Sequence, residues 1–304
     1  MQCIWPSTTK IAECFDTKII TTESFVKMPG ATHIAFEAEH ADDEAKKIVR
    51  MAIEAFNARK GKDVAIPKEK SVGLIGFSVE AILDVLKKVN PSDPLKPVID
   101  NIVNGNIYGA VGFVGCPSIK LRDTSMTEIM TKELLKNNVL IVTTGCTAHI
   151  CAQAGFMDSS ATDKYCGDGL KSVLTVLGEA AGLNAPLPPV WHMGSCVDNS
   201  RIGTLLGALA NKLDVKISQL PVAGSAPELV QEKAISIGTW FLALGLMVHI
   251  APSPRILGSP VATKVLTQDL EKLTGCKAYV ELDPVKAAAG MMAHIAQKRA
   301  ALGI

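Results

Sequence analysis

The sequence predicts an α/β fold with mostly parallel sheets flanked by helices, and two observations support that class. From about Ser71 onward, short apolar runs rich in β-branched residues alternate with longer segments of helical periodicity. Most residues of these runs are apolar, which is typical of parallel strands that helices cover on both faces. Strands and helices that alternate in this way form parallel sheets with a helical layer on each side.

The elements follow one another in a regular order after a less regular first hundred residues. We expect two domains, residues 1–105 and 106–304, because a proline-rich break and a short helix precede residue 105. Predicted strands are Lys18–Thr22, Thr32–Phe36, Val72–Phe77, Tyr108–Val114, Val139–Thr143, Pro189–Met193, Gln219–Val222, Leu246–Ala251 and Lys277–Leu282. Predicted helices are His40–Arg59, Thr124–Lys136, Lys171–Ala181, Arg201–Lys212, Glu228–Leu244 and Pro284–Arg299.

Composition excludes several classes of function. The 304 residues carry a net charge of +1 and no long run of like charge, so nothing indicates a nucleic-acid arm or a membrane-binding patch. The most apolar stretch, Ile237–Pro252, is shorter than the roughly 20 residues that a bilayer-spanning helix needs. The N-terminus lacks the pattern of a secretory signal, so we expect a cytoplasmic protein with no membrane span.

Eight cysteines in a protein of this kind suggest buried thiols, redox chemistry or metal binding rather than disulfides. No Cys-x-x-Cys pair occurs in the sequence, which argues against a zinc ribbon and against a thioredoxin-like site. If a metal is bound, the cysteines that serve as its ligands must come from distant segments that the fold brings together.

Three cysteines share one structural position, just past the carboxyl end of a predicted strand. Each segment is a strand, a glycine and a cysteine that leads toward a helix: Tyr108–Cys116, Val139–Cys146 and Pro189–Cys196. Ligands of open α/β sheets bind at that edge, and a thiolate near a helix N-terminus is stabilised by the helix dipole. Soft thiolates favour iron–sulfur clusters, copper or zinc.

A cysteine after a strand is also a common small apolar filler, so shared metal binding and simple packing both remain open for these three. For Cys14, Cys151, Cys166 and Cys276, which do not share the placement, packing is the better interpretation.

The cysteine segments resemble a known family. Gly115-Cys116, Thr143-Thr144-Gly145-Cys146 and His192-Met193-Gly194-Ser195-Cys196 are similar to the cluster-binding segments of nickel-dependent carbon monoxide dehydrogenases. Ser225–Ala234 resembles the family's segment that bears the catalytic lysine, and Gln2-Cys3 looks like one further ligand segment. The resemblance runs over essentially the whole chain.

The resemblance implies two Rossmann-like domains, the first incomplete at its N-terminus, and a cluster of nickel, four irons and sulfide. Cys3, Cys116 and Cys146 would hold irons of the cubane, Cys196 would hold nickel, and a further iron would lie outside the cubane. The implied reaction converts carbon monoxide and water to carbon dioxide, two protons and two electrons. A ferredoxin-like carrier would accept the electrons, and the complete protein would be a homodimer.

Two further residues acquire roles from the resemblance. Lys233 would act as the acid/base or electrostatic group beside the substrate, and Ile237, four residues later on the same helix face, would lie beside the gas-binding position. Ser225 and Glu228 form a capping-box pattern before this helix. Without the resemblance, Lys233 is a solvated lysine and Ile237 a core residue. His192 and His149 are interpreted as core or supporting histidines rather than ligands.

The sequence also departs from the family. Ligands of the outer iron and the cysteines that bind electron-transfer four-iron clusters would lie upstream of this chain, so we expect a truncated sequence. Two alternatives remain open. One is a hybrid-cluster-type hydroxylamine reductase, and the other is a non-catalytic remnant that binds a cluster or a partner.

Overall fold

The computed structural model divides the chain into two compact units, residues 1–70 and 71–304. The structure describes residues 18–22, 29–59, 61, 65, 68, 70, 72–115, 125–227, 232–251 and 258–304. Within helix 232–243, the side chains of residues 232–235 are outside that description. Cys3, Cys14 and Cys116 therefore lie outside the described residues.

The described residues of the first unit form a small parallel sheet and a long helix. Strands β1 (Ile20–Thr21) and β2 (Thr32–His33) pair in parallel, and the Thr21 hydroxyl lies 2.9 Å from His33 Nδ1. Both strands are shorter than predicted. Helix α1 (Ala41–Ala58) is amphipathic, yet it buries none of its residues. Its apolar face, formed by Val49, Ile53 and Phe56, is more than half exposed.

The second unit is built on a six-stranded parallel sheet. Its strands are β3 (Gly109–Phe113), β4 (Val139–Thr143), β5 (Val190–His192), β6 (Val222–Ala226), β7 (Met247–Ile250) and β8 (Lys277–Val280). They lie in the order β5-β4-β3-β6-β7-β8, and every neighbouring pair is parallel. This is the doubly wound Rossmann order, in which one half of the sheet starts at β3 and the other at β6.

Helices cover the sheet. They are α2 (Val79–Val89), α3 (Lys96–Val103), α4 (Ser125–Lys136), α5 (Gly145–Gln153), α6 (Ser160–Tyr165), α7 (Asp168–Ala180), α8 (Asn199–Leu213), α9 (Glu232–Ala243), α10 (Pro260–Lys264), α11 (Leu270–Thr274) and α12 (Pro284–Leu302). Helix α12 packs against α4, and α2 packs against α7 and α8. Across the described ranges, no helix combines the length and apolar composition that a bilayer crossing requires.

The division at residues 70 and 71 precedes the expected domain boundary near residue 105. Helix α2 contributes Ile82 and Leu86 to the same buried core as Val142 and Trp191 of the sheet. Burial of these side chains removes apolar surface from water and holds α2 to the second unit. The boundary near residue 105 stays a prediction about the family's domains.

Two predicted strands of the second unit depart furthest from the structure. Residues 72–77 form no strand, although Leu74 N and Phe77 N donate to the carbonyl oxygens of Met157 and His192. Gly76, with φ of +91°, interrupts the extended backbone there. The strand predicted at Gln219–Val222 begins only at Val222, because a 3-10 turn precedes it and Pro221 has no N–H to donate.

Candidate metal centre

Cys146 lies in the first turn of a helix that starts immediately after a strand. Strand β4 ends at Thr143, and α5 begins at Gly145, whose φ of +63° lies in the left-handed region. Glycine adopts that conformation without steric cost, so the chain can turn from strand to helix within two residues. A thiolate at this position would be stabilised by the N-terminal end of the α5 dipole.

Cys196 opens a short 3-10 turn after β5. Gly194, with φ of +132°, redirects the chain, and the turn Cys196–Asp198 then leads into α8. An Asp198 carboxylate oxygen accepts hydrogen bonds from Ser195 N at 2.7 Å and from Ser195 Oγ at 2.9 Å. This capping box holds the turn closed and thereby fixes the backbone of Cys196.

The two turns meet. Gly145 N donates to Gly194 O at 3.0 Å, and Met193 N donates to Thr143 O at 3.0 Å. Cys196 Sγ lies directly against Gly145, so that a Cβ atom on Gly145 would overlap the sulfur. Glycine is required there for two separate reasons, the left-handed backbone and the approach of the thiol. The structure thus brings Cys196 against the residue that precedes Cys146.

The buried Asn199 is hydrogen-bonded to both turns. Thr144 Oγ1 donates to Asn199 Oδ1 at 2.7 Å, and Asn199 Nδ2 donates to Cys196 O at 2.7 Å. Both Thr144 and Asn199 are buried. Sequence reasoning missed Asn199, because its partner is 55 positions away. The Ser195–Asp198 capping box, by contrast, has a spacing that could have been recognised in the sequence.

Strand β3, which precedes Cys116, ends at the switch point of the sheet, where the two halves of the doubly wound order diverge. Val114 N, just past β3, donates to Ser225 O on β6 at 2.9 Å. Gly115 follows with φ of +122°. Cys116 is the next residue, and both it and Cys3 are outside the described part of the chain, so their positions as ligands remain predictions.

Helix α9 carries the predicted lysine and isoleucine. Lys233 is in the first turn of this helix, and its side chain is outside the described residues. Ile237 is half-buried and packs against the core. Phe241 is 1% exposed, and its ring covers Gly112 of β3 and Gly224 of β6. The absence of side chains on these glycines lets α9 lie close to the sheet.

The two histidines of these segments differ in environment. His192 is half-buried, and burial lowers the pKa of its ring. His149 is exposed on α5, so it is not a core histidine, and a supporting role stays a prediction. Among the described residues, no three His, Cys, Asp or Glu side chains lie close enough to hold a metal ion.

The described cysteines outside this set have the environments of packing residues. Burial raises the pKa of Cys151 and of Cys166 to about 12, which keeps both thiols protonated. Cys276 is buried, and its sulfur lies 2.7 Å from Thr274 Oγ1. A protonated thiol is a poor metal ligand, which agrees with the packing role expected for Cys151 and Cys166.

Comparison with known proteins gives a consistent result. The chain is 51% identical to carbon monoxide dehydrogenase 2 of Carboxydothermus hydrogenoformans and 50% identical to carbon monoxide dehydrogenase of Rhodospirillum rubrum. All of this chain aligns with 48% of each relative. The solved structure of carbon monoxide dehydrogenase IV from C. hydrogenoformans superposes with a TM-score of 0.91 at 54% identity, and this chain covers 48% of it.

The chain therefore spans about half the length of the curated relatives that it matches. A model of the Prismane/CO dehydrogenase family matches residues 1–285. That match includes the first compact unit, most of the second and every predicted ligand segment. The chain belongs to the Prismane/CO dehydrogenase family.

Proposed function

We propose that this chain forms part of an anaerobic carbon monoxide dehydrogenase, which oxidises carbon monoxide with water to carbon dioxide, two protons and two electrons. The observation that carries the proposal is the contact between Cys196 Sγ and Gly145, beside Cys146, at the carboxyl edge of the sheet. Family membership supports the same reaction. In this proposal Cys3, Cys116, Cys146 and Cys196 hold a nickel–iron–sulfur cluster with an outer iron.

The described residues fit such a cluster. Glycines with positive φ, Gly115, Gly145 and Gly194, stand one or two residues before three of the four cysteines and turn the chain sharply at the strand ends. Thiolate sulfur is the donor that iron–sulfur and nickel–thiolate centres require. Bound there, the cluster would supply an electron-rich metal that holds carbon monoxide and a store for the two electrons released.

The protein's own part in the reaction follows from helix α9. Lys233 would hold a positive charge or a proton beside the carboxyl oxygens of the forming product, which stabilises negative charge as it develops. Ile237 would present an apolar surface to a substrate that has no charge and little polarity. Phe241, seated on Gly112 and Gly224, would keep the helix at a constant distance from the sheet.

The complete protein would contain more than this chain. We infer that the exposed apolar face of α1 packs against further strands of the sheet that β1 and β2 begin. A two-stranded parallel sheet beside a helix with an uncovered apolar face has only marginal stability by itself. Outer-iron ligands and electron-transfer clusters would lie in that further part. The complete enzyme would be a cytoplasmic homodimer that passes electrons to a ferredoxin-like carrier.

The proposal is tested by metal analysis and activity of protein purified without oxygen from nickel-replete cells. We expect nickel together with an excess of iron, and carbon monoxide-dependent reduction of a low-potential dye once the upstream part is present. Cys196→Ser should remove nickel and activity, whereas the matched Cys166→Ser should keep both. Lys233→Ala should keep the metals and lose activity. Iron without nickel, or equal metal content in the two cysteine variants, would contradict the proposal.

Two other functions make different predictions. A hybrid-cluster-type enzyme would reduce hydroxylamine and would not oxidise carbon monoxide. A non-catalytic remnant would fold stably with no metal, and its melting temperature would not change after reconstitution with iron, sulfide and nickel. The same purified protein distinguishes all three.

A further inference from the structure

A buried hydrogen-bonded chain links three neighbouring strands of the sheet near their carboxyl ends. Ser225 Oγ on β6 lies 2.9 Å from His249 Nδ1 on β7, and His249 Nε2 lies 2.9 Å from the carbonyl oxygen of Glu281, just after β8. Ser225 and His249 are both 0% exposed. A histidine occupies this position although its neighbours on β7, Val248 and Ile250, are buried and apolar.

The direction of the chain is determined by its acceptor. A carbonyl oxygen only accepts hydrogen bonds, so His249 Nε2 must carry the proton that it donates to Glu281 O. Burial lowers the pKa of His249, so the ring is neutral and Nδ1 has a lone pair. The Ser225 hydroxyl therefore donates to Nδ1, and the serine side chain is held in a single orientation.

Ser225 also contacts the other half of the sheet. Its carbonyl oxygen accepts the hydrogen bond from Val114 N, at the end of β3, and Phe113 is its partner in the β3–β6 ladder. Ser225 thus stands at the switch point, where the two halves of a doubly wound sheet diverge and a ligand binds. One residue beyond Val114 is Gly115, which leads to Cys116, and β6 itself leads to helix α9.

We propose that Ser225 and His249 form a positioning pair that holds the ends of β3 and β6 in the alignment needed for metal binding. The inference rests on the proposed function, because it assigns these residues to the same site. Neither residue would touch the metal or the substrate. The pair acts through the Ser225 peptide, whose carbonyl aligns Val114 and whose continuation leads to Lys233.

Burial alone would not select this pair. A core position on β7 can be filled by an apolar residue, and a buried hydroxyl and imidazole stabilise the fold only while both are hydrogen-bonded. If the pair only stabilised the fold, loss of the Ser225–His249 bond and loss of the His249–Glu281 bond would have similar effects. A positioning pair differs, because the Ser225–His249 bond matters to the site and the His249–Glu281 bond does not.

Two substitutions of His249 separate these bonds. Asparagine places its carbonyl oxygen near the Nδ1 position, so His249→Asn keeps an acceptor for Ser225 and loses the donor to Glu281 O. Glutamine places its amide nitrogen near the Nε2 position, so His249→Gln keeps that donor and loses the acceptor. Each variant leaves one buried group without a partner, and we expect similar losses in melting temperature.

The variants are compared by nickel and iron content in protein prepared as for the wild type. We expect His249→Asn to retain both metals, whereas His249→Gln and Ser225→Ala lose metal affinity on the order of tenfold or more, as for other residues that orient ligands. Equal metal content in His249→Asn and His249→Gln at matched melting temperatures would overturn the proposal.

Hydrogen exchange gives a readout that needs no metal. In the apo protein, the Val114 amide should exchange faster in His249→Gln and Ser225→Ala than in wild type, and at the wild-type rate in His249→Asn. Unchanged exchange at Val114 in Ser225→Ala would overturn the positioning role even if the metal content fell. If wild-type protein bound no nickel, the proposed function would fail, and this exchange pattern would still decide the role of the pair.

Discussion

Gly145 provides the most direct test of the candidate metal centre, because its substitution has two separable effects. In Gly145→Ala, the new Cβ would overlap Cys196 Sγ. The sulfur would have to move by roughly 1.1–1.6 Å to restore a normal non-bonded separation of about 3.5–4.0 Å. Metal–ligand distances tolerate deviations of only about 0.2 Å, so this displacement removes Cys196 from a productive position.

The second effect is backbone strain. Gly145 has φ of +63°, and an L-residue in the left-handed region costs roughly 1–2 kcal/mol. Gly155, just beyond the carboxyl end of α5, provides the matched control. Its φ is +79°, and a Cβ atom there would meet nothing within 4 Å. Gly155→Ala therefore carries the same kind of strain without displacing any neighbour.

The assay combines thermal unfolding of the apo protein with nickel and iron analysis after anaerobic preparation. Gly155→Ala should lose about 1–2 kcal/mol of stability, and Gly145→Ala at least as much, because its overlap with Cys196 Sγ adds to the same backbone strain. Nickel binding should fall by at least about tenfold in Gly145→Ala and stay at the wild-type level in Gly155→Ala. If Gly145→Ala bound nickel as the wild type does, the reasoning that places Cys196 in the metal site through this contact would be refuted.

Three other predictions follow from single groups. Asp198→Ala should lower the stability by about 1 kcal/mol and reduce the nickel content, because Ser195 N and Oγ lose their acceptor. Asp198→Asn keeps an oxygen acceptor and should lose less stability and less nickel. Equal losses in the two variants would contradict this prediction. Cys151, with a pKa of about 12, should resist alkylation at pH 8 in the folded protein and react after unfolding; labelling of native Cys151 would contradict its burial. Burial and nearby Lys298 lower the pKa of His294 from 6.5 to about 4, so between these pH values the unfolded chain binds more protons than the folded chain. Up to about 3 kcal/mol of stability should therefore be lost as the pH falls from 6.5 to 4. The same pH dependence of stability in His294→Leu would refute this prediction.

Local sequence patterns were sufficient to predict most of the sheet. Strand β4 begins and ends where the alternation of apolar and polar segments placed it, and the strands of Tyr108–Val114 and Leu246–Ala251 are one residue shorter at each end. Strands β4 and β7 are buried at every position, as expected for strands that helices cover on both faces, although His249 interrupts the apolar run of β7. The run at 72–77 has a similar composition without forming a strand, because pairing depends on neighbours that a local pattern does not specify.

The candidate site was predictable only as a set of positions. The strand–glycine–cysteine pattern correctly located Cys146 and Cys196 just past β4 and β5. It could not predict that α5 begins at Gly145 itself, or that Cys196 Sγ packs on that glycine, because the contact joins turns that are separated by the whole of α5, α6 and α7. Asn199 was missed for the same reason.

In the proposed function, the strand order places metal binding and proton handling on different halves of the sheet. The cysteine segments follow β3, β4 and β5, which form one half of the sheet, whereas the lysine helix α9 follows β6, the first strand of the other half. Connections from the two halves leave the switch point in opposite directions, so thiolates and Lys233 would approach a ligand from opposite sides of one crevice. Metal binding and proton handling should then respond to different substitutions. Ser225 is the exception, because it is bonded to both β3 and β7, and a change there should affect both.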